Sequence, residues 1–198
     1  MNLYWSTELL ILALATAFSI VGSLLIIRYD WKRYGLLFLI SGLVGNILCY
    51  IFVKTGFYSF PVRLFPKISI MPFEAILTVF PFYVLLGVRY SPKLWAYKIP
   101  FYWAIVHLGM LGETLVLNST KLVEYNFKWD FWDSYTWWWI YYLLFDWIGN
   151  LIVPQKAQRP ISQNSFRYGK WAWIVFHFIL VITVFLGGLY LGGVRFFQ

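Results

Sequence analysis

The sequence is poor in charged residues and contains a single cysteine. Charged side chains make up only 12% of the 198 residues, against about 25% in soluble domains, which excludes an ordinary soluble globular protein. Cys49 is the only cysteine, so an intrachain disulfide and a cysteine metal cluster are both excluded. Acidic residues number eight against sixteen Lys and Arg, for a net charge of +8. The basic residues fall between apolar runs, which favours a role in membrane topology and argues against nucleic-acid binding.

Motifs of known catalytic sites are missing as well. The sequence has no H-E-x-x-H zinc motif, no glycine-rich phosphate loop and no G-x-S-x-G nucleophile motif. The two histidines, His107 and His177, and the scattered carboxylates do not have metal-ligand spacing. We therefore predict neither a bound metal nor a cofactor.

Long apolar runs dominate what is present. The chain is 61% hydrophobic and 23% aromatic, with a mean hydropathy of +0.68. A membrane-spanning helix needs about 20 apolar residues, so the whole chain is predicted to be one all-α, polytopic transmembrane helix bundle of about six spans. The first run lacks the basic start of a signal peptide and is taken as a true span. The predicted spans are residues 6–27, 34–53, 71–89, 99–117, 135–153 and 171–191.

The loop charges predict an orientation. Assigned alternately to the two sides, the loops carry ten Lys and Arg on one side and six on the other. Because basic loops stay in the cytoplasm, both termini are expected to face out of a cell membrane. The ten are Arg28, Lys32, Arg33, Arg89, Lys93, Lys98, Lys156, Arg159, Arg167 and Lys170, and the six are Lys54, Arg63, Lys67, Lys121, Lys128 and Arg195.

Two segments between the spans are unusual. Residues 54–72 contain three prolines and are too irregular for a helix, so they are expected to lie in the interface or to dip into the bundle. Residues 125–139, together with Trp147, hold six of the twelve tryptophans. An interfacial belt is the favoured interpretation of these tryptophans, and stacking on a ligand is the alternative.

Ionisable side chains inside a bilayer are costly and suggest function. Glu74 and Glu113 lie at matching depth near one end of two neighbouring antiparallel spans, and Asn46 lies slightly deeper on span two. Two carboxylates in one dry site cannot both ionise easily, which is typical of proton-handling and acid-catalytic sites. The alternative is that each glutamate is wet or is paired with Arg63 or Lys67.

Asp146 lies near the middle of span five, with Trp139, Tyr142 and Asn150 on the same helix face. Lipid offers these groups no partner, so the stripe must face the bundle or a cavity. His107 is also near mid-depth, and its spacing from Glu113 turns the two side chains apart. We expect His107 to meet Asp146 on the neighbouring span, either as a plain interhelical hydrogen bond or as a proton relay.

The central region resembles a known family. Glu74 opens one span and is followed seven residues later by Pro81, and Glu113 ends the next span ahead of an L-x-x-Y-x-x-W-like stretch. That stretch is represented here by Leu122, Tyr125 and Trp129. Over residues 30–153 the chain resembles a family of uncharacterised multi-spanning membrane proteins common in endospore-forming bacteria. The resemblance implies a bacterial cytoplasmic membrane and supports the choice of the two glutamates, and it implies no activity.

Three functions are compatible with these features. The first is binding or transport of a small cationic or amphipathic ligand in an outer-half cavity, by the chain alone, as a homo-oligomer or with a membrane partner. The second is a structural or assembly subunit of a membrane complex, and the third is an acid–base enzyme acting on a membrane lipid or isoprenoid. Expected partners are the bilayer and a small-molecule or lipid ligand, without nucleic acid. The candidate ligand- or proton-binding residues are Asn46, Arg63, Glu74, His107, Glu113 and Asp146.

Overall fold

The computed structural model describes residues 7–126, 129–167 and 169–196. This part of the chain contains seven α-helices, one short 3-10 turn and a pair of two-residue strands. The all-α fold predicted from the sequence is therefore confirmed. The elements are α1 (Thr7–Ile27), α2 (Trp31–Lys54), β1 (Tyr58–Ser59), α3 (Phe73–Tyr90), α4 (Trp95–Ser119), β2 (Glu124–Tyr125), α5 (Phe131–Ile152), the turn Gln155–Ala157, α6 (Gln163–Arg167) and α7 (Lys170–Phe196).

Among the described residues, five helices are long and apolar enough to cross a membrane, which makes the chain a membrane protein. They are α1, α2, α3, α4 and the part of α7 from Lys170 to Tyr190. The remaining predicted span, residues 135–153, corresponds to α5, which has 22 residues and does not belong to this set. Its Asp133 and Asp146, together with many tryptophans and tyrosines, lower its hydropathy although its length suffices.

Aspartate side chains define where two helices begin. Asp30 precedes α2, and its carboxylate accepts from the Arg33 backbone N–H at 3.3 Å and from the Arg33 guanidinium at 3.0 Å. Asp130 precedes α5 and accepts from the backbone N–H groups of Trp132 and Asp133, while the Asp133 carboxylate accepts from the Asp130 N–H. This reciprocal capping box fixes the first turn of α5. Both helices consequently start three or four residues before the predicted spans.

Helix α3 lies at the centre of the bundle. It packs most extensively against α1 and α2, and it also contacts α4 and α5, whereas α7 packs against α4. We call the end at which α3 begins and α4 ends the glutamate end, because it holds Glu74 and Glu113. The opposite end, with Lys98 and Asp146, is the aspartate end.

Two connecting segments pair with each other across the glutamate end. Residue Tyr58 of β1 lies opposite Tyr125 of β2 in an antiparallel pair, and the Asn126 N–H donates to the Phe57 carbonyl at 2.8 Å. Together, residues 55–72 and 120–130, without the undescribed 127 and 128, form what we call the cap. The irregular segment 54–72 is thus held against the segment that follows α4, and the two close the bundle at this end.

Candidate functional site

A cavity of about 400 Å³ lies beneath the cap at the glutamate end. Its walls come from α1, α2, α3, α4 and α5, and its roof comes from cap residues such as Tyr58, Phe60 and Trp129. The lining is mainly aliphatic and aromatic, and Glu113 is the one charged residue among the described lining residues. A mostly apolar cavity with a few convergent polar groups is the usual form of a small-molecule site.

Aromatic rings form one wall of this cavity. The ring centroid of Phe52 lies 4.9 Å from the ring centroids of both Trp129 and Trp137. Trp138 stacks on Phe80 with 4.9 Å between the ring centroids. All five of these side chains line the cavity. Other tryptophans face outward, with Trp132 and Trp147 exposed by 56% and 63%. The tryptophan-rich region therefore supplies both an outward-facing set and a cavity wall.

Glu113 accepts three hydrogen bonds from described residues, one from the cap and two from α5. Its Oε1 accepts from the hydroxyls of Tyr125 at 2.6 Å and Ser134 at 2.7 Å, and its Oε2 accepts from the indole N–H of Trp138 at 2.8 Å. The indole N–H of Trp129 donates to the Ser134 hydroxyl at 2.9 Å and orients it toward Glu113. Glu113 thereby joins α4 to the cap and to the first two turns of α5.

The lengths and number of these bonds fit an ionised carboxylate. Hydroxyl donors at 2.6–2.7 Å match charge-assisted O–H···O⁻ bonds, and an indole N–H can only donate. A carboxylate offers about four acceptor positions, of which the described donors fill two on Oε1 and one on Oε2. One acceptor position on Oε2 of Glu113 is left for a further donor.

Local sequence features place the three donors. The capping box at Asp130 fixes the first turn of α5, and Ser134 is the fourth residue of that helix. Gly109 of α4 leaves room for the indole, because a Cβ at this position would lie 2.8 Å from the Trp138 ring. Burial, and then the negative charge of Glu113, raise the pKa of Tyr125 above its usual value, so the phenol stays a neutral donor.

Glu74 lies beside the cavity rather than in it. Pro72, Ala75 and Ile76 line the cavity, whereas Glu74 does not. Both carboxylate oxygens of Glu74 are buried and, in the described part of the chain, have no hydrogen-bond partner. The two glutamates were expected to meet at matching depth, but no described hydrogen bond joins them. Glu113 instead uses donors from α5 and the cap.

Arg63 does not pair with either glutamate among the described residues. Its guanidinium donates to the backbone carbonyls of Phe60 and Ile70 and so ties the two ends of a cap loop together. Asn46 also turns inward on its own helix, where its amide donates to the Gly42 carbonyl at 2.8 Å. Neither side chain lines the cavity. Of the residues expected in the outer half, Glu113 is the one found in the described cavity lining.

Asp146 lies at the aspartate end in a buried ion pair that the sequence did not predict. The Lys98 ammonium lies 2.9 and 3.0 Å from the two oxygens of Asp146, and these residues are only 8% and 5% exposed. The Tyr102 hydroxyl donates to the same carboxylate at 2.6 Å, and the Asn150 amide does so at 3.2 Å. The shared face of Asp146 and Asn150 is therefore confirmed.

The counting of Lys98 and Arg89 as loop charges was wrong. Lys98 lies in the first turn of α4, where it neutralises Asp146. Arg89 lies in the last turn of α3, is buried, and stacks 3.8 Å from the centroid of Tyr29. Lys128, which also entered the count, lies outside the described residues, and the orientation of the termini stays a prediction.

The expected pairing of His107 with Asp146 was also wrong. The His107 ring contacts the Thr183 hydroxyl of α7 at 2.9 Å and the Trp103 carbonyl of its own helix at 3.0 Å. Lys98 and Tyr102 lie on the face of α4 that contacts α5, whereas His107 lies on the face that contacts α7. His107 thus serves as an interhelical contact. The spacing of Lys98 and Tyr102, four residues apart on one helix face, was the available sign that this face meets a carboxylate.

Comparison with known proteins adds no relative. No protein-family model matches the chain, and no curated protein or solved structure is significantly similar to it. The resemblance to membrane proteins of endospore-forming bacteria accordingly stays a prediction, and the functional argument depends on the cavity and on Glu113.

Proposed function

We propose that the cavity beneath the cap binds an amphipathic molecule with an apolar body and a small cationic head, and that the head pairs with Glu113. The observation that carries the proposal is the position of Glu113 as the one charged group among the described lining residues of an otherwise apolar and aromatic cavity. An apolar body is favoured by the lining, and the open acceptor position on Oε2 suits an ammonium N–H.

The charge of Glu113 supports a cationic head. Its three donors, Tyr125, Ser134 and Trp138, are all neutral, and no Lys or Arg of the described chain lies within 4 Å of it. Burying a carboxylate is costly when no cation compensates for it. A ligand cation would supply this compensation, and the faces of Trp129 and Trp137 would add cation–π attraction.

The size of the cavity limits the ligand. A volume of about 400 Å³ lies near the lower end of the usual range for ligand pockets, about 300–1,000 Å³. The cavity therefore suits one small molecule, or the head and part of one chain of a longer one. A two-chain lipid does not fit inside as a whole.

Tryptophan fluorescence offers a direct test, because three tryptophans line the cavity. The protein in phosphatidylcholine nanodiscs is titrated with dodecylamine, with dodecanol as a neutral probe of equal chain length. We expect saturable binding of the amine and weaker binding of the alcohol. Glu113→Gln should weaken amine binding by about tenfold or more, since a hydrogen bond to a charged group contributes about 1.5–3 kcal/mol.

Glu124→Gln is the matched control, because Glu124 is an exposed carboxylate in the cap, and it should leave binding unchanged. A cooperative thermal unfolding transition, followed by circular dichroism without ligand, reports whether each variant is folded. Equal amine affinity in folded wild-type and Glu113→Gln protein would refute the proposal.

A structural role of Glu113 is the second candidate, favoured by its bonds to α5 and the cap. Under that role, Glu113→Gln would lower the melting temperature, and neither probe would bind saturably to the wild-type protein. The paired measurements of stability and of binding therefore separate the two functions.

A further inference from the structure

The cavity is bordered by small residues where α1 and α4 face each other. Ala15 of α1 and Gly112 of α4 both line the cavity, and both are exposed. A Cβ at Gly112 would meet no atom within 4 Å, whereas a Cβ at Gly109, one turn away, would lie 2.8 Å from the Trp138 ring. The cavity is thus tightly packed toward α5 and open toward α1.

Within the described residues, helices α1 and α4 leave this side uncovered. In the described structure α1 packs against α2 and α3, and α4 packs against α5 and α7, without an extensive contact between α1 and α4. Toward the cap the gap is bridged by a cluster of Leu12, Ala75 and Leu122, with Val116 packed against it. The gap therefore lies on the hydrocarbon side of that cluster, between two membrane spans.

The described residues of the cap offer no comparable route from water. Its aromatic rings pack against one another above the cavity, with Trp129 5.2 Å from Phe57 and 5.4 Å from Tyr58. Backbone hydrogen bonds also join the two cap segments, including Val62 N–H to the Lys121 carbonyl at 3.3 Å. A ligand that arrived from solution would have to separate these contacts, whereas one already in the bilayer would not.

We infer that the gap between Ala15 and Gly112 is a lateral opening to the bilayer, and that the ligand is a membrane-dissolved, single-chain amine. The amine head reaches Glu113, and the chain passes between α1 and α4 into the surrounding lipid. This inference rests on the proposed function and adds the class of ligand and its route.

The depth of Glu113 agrees with this arrangement. Glu113 lies six residues before the end of α4 at Ser119, which places it about 9 Å below that end at 1.5 Å per residue. A head group at this depth is close to the interface, and its chain can lie alongside the lipid chains. A volume of about 400 Å³ has room for the head and part of one chain, and the opening accommodates the remainder.

Photo-crosslinking maps the route directly. The protein in phosphatidylcholine nanodiscs is irradiated with hexadecylamine that carries a diazirine in mid-chain, and the adducts are located by peptide mass spectrometry. We expect adducts on the α1 and α4 segments around Ala15 and Gly112 in the wild-type protein. Gly112→Phe, which fills the opening, should lose these adducts, and Ala15→Phe should lose them from the other side.

Gly188→Phe is the matched control, because Gly188 of α7 is also exposed and a Cβ there meets no atom within 4 Å. It should retain the adducts. A cooperative thermal unfolding transition establishes that each variant is folded. The two variants that fill the opening lie on different helices, so a folding failure in one leaves the other as a test.

The outcomes separate the route from the site. If Glu113→Gln loses the adducts while folded Gly112→Phe and Ala15→Phe keep them, the lateral opening is refuted and the proposed function stands. If Glu113→Gln also keeps them, the ligand does not depend on Glu113 and the proposed function fails as well. Loss in all three variants, with retention in Gly188→Phe, supports both.

Discussion

Removing the ammonium of Lys98 should strongly destabilise the bundle. In Lys98→Met the side chain keeps its apolar length but no longer contacts the two oxygens of Asp146 at 2.9 and 3.0 Å. The carboxylate then depends on the Tyr102 hydroxyl at 2.6 Å and the Asn150 amide at 3.2 Å. With Asp146 only 5% exposed, water cannot replace the lost cation.

The size of the effect follows from the burial of the pair. Breaking a buried ion pair by removing one partner costs about 3–5 kcal/mol. At about 2–4 °C per kcal/mol for a chain of this size, the melting temperature should fall by about 6–20 °C. Replacing both partners, as Lys98→Met with Asp146→Leu, should recover most of the loss, because apolar replacement of a whole buried pair is often neutral or stabilising.

Cys49 supplies the assay. It is the single cysteine of the chain and is buried, so a thiol-reactive fluorophore reports unfolding in detergent as temperature rises. Lys93→Met is the control, since Lys93 is exposed and a surface substitution changes stability by about 0.5 kcal/mol or less. Equal melting temperatures for Lys98→Met and Lys93→Met would show that the ion pair of Lys98 and Asp146 does not stabilise the fold.

Two further predictions concern helix contacts. Gly109→Ala places a Cβ 2.8 Å from the rigid Trp138 ring and should lower the free energy of unfolding by about 1–3 kcal/mol. Gly112→Ala meets open space and should raise the free energy of unfolding by up to about 1 kcal/mol through helix propensity. Thermal unfolding that ranked the two variants in the opposite order would contradict the described packing. Thr183→Val removes the hydroxyl that His107 contacts at 2.9 Å and should cost only about 0.6 kcal/mol, so a loss several times larger would indicate that His107 does more than join α4 to α7.

Hydropathy identifies most of the membrane helices but not their rotation. The apolar runs of α1, α2, α3, α4 and α7 are long enough to be found by composition alone. Helix α4 is apolar on nearly all faces, so its sequence does not show which face meets which neighbour. For this reason His107 was expected at Asp146, although it contacts α7, and Lys98 was counted with the loops.

The choice of Glu113 could be made from its depth in the sequence, but its partners could not. Tyr125 reaches Glu113 because β2 pairs with β1 from a segment more than 60 residues earlier. Strands of two residues leave no periodic pattern to find. Ser134 and Trp138 face Glu113 because the capping box at Asp130 sets the start of α5, which the hydropathy window placed several residues too late.

The central claim is that the cavity holds one cationic amphiphile at Glu113, and native mass spectrometry of the detergent-solubilised protein with dodecylamine tests it most directly. We predict one bound amine per chain in the wild-type protein, no retained dodecanol, and loss of the bound amine in folded Glu113→Gln. Equal retention of the amine by the wild-type and Glu113→Gln proteins, or no retention by either, would contradict the account.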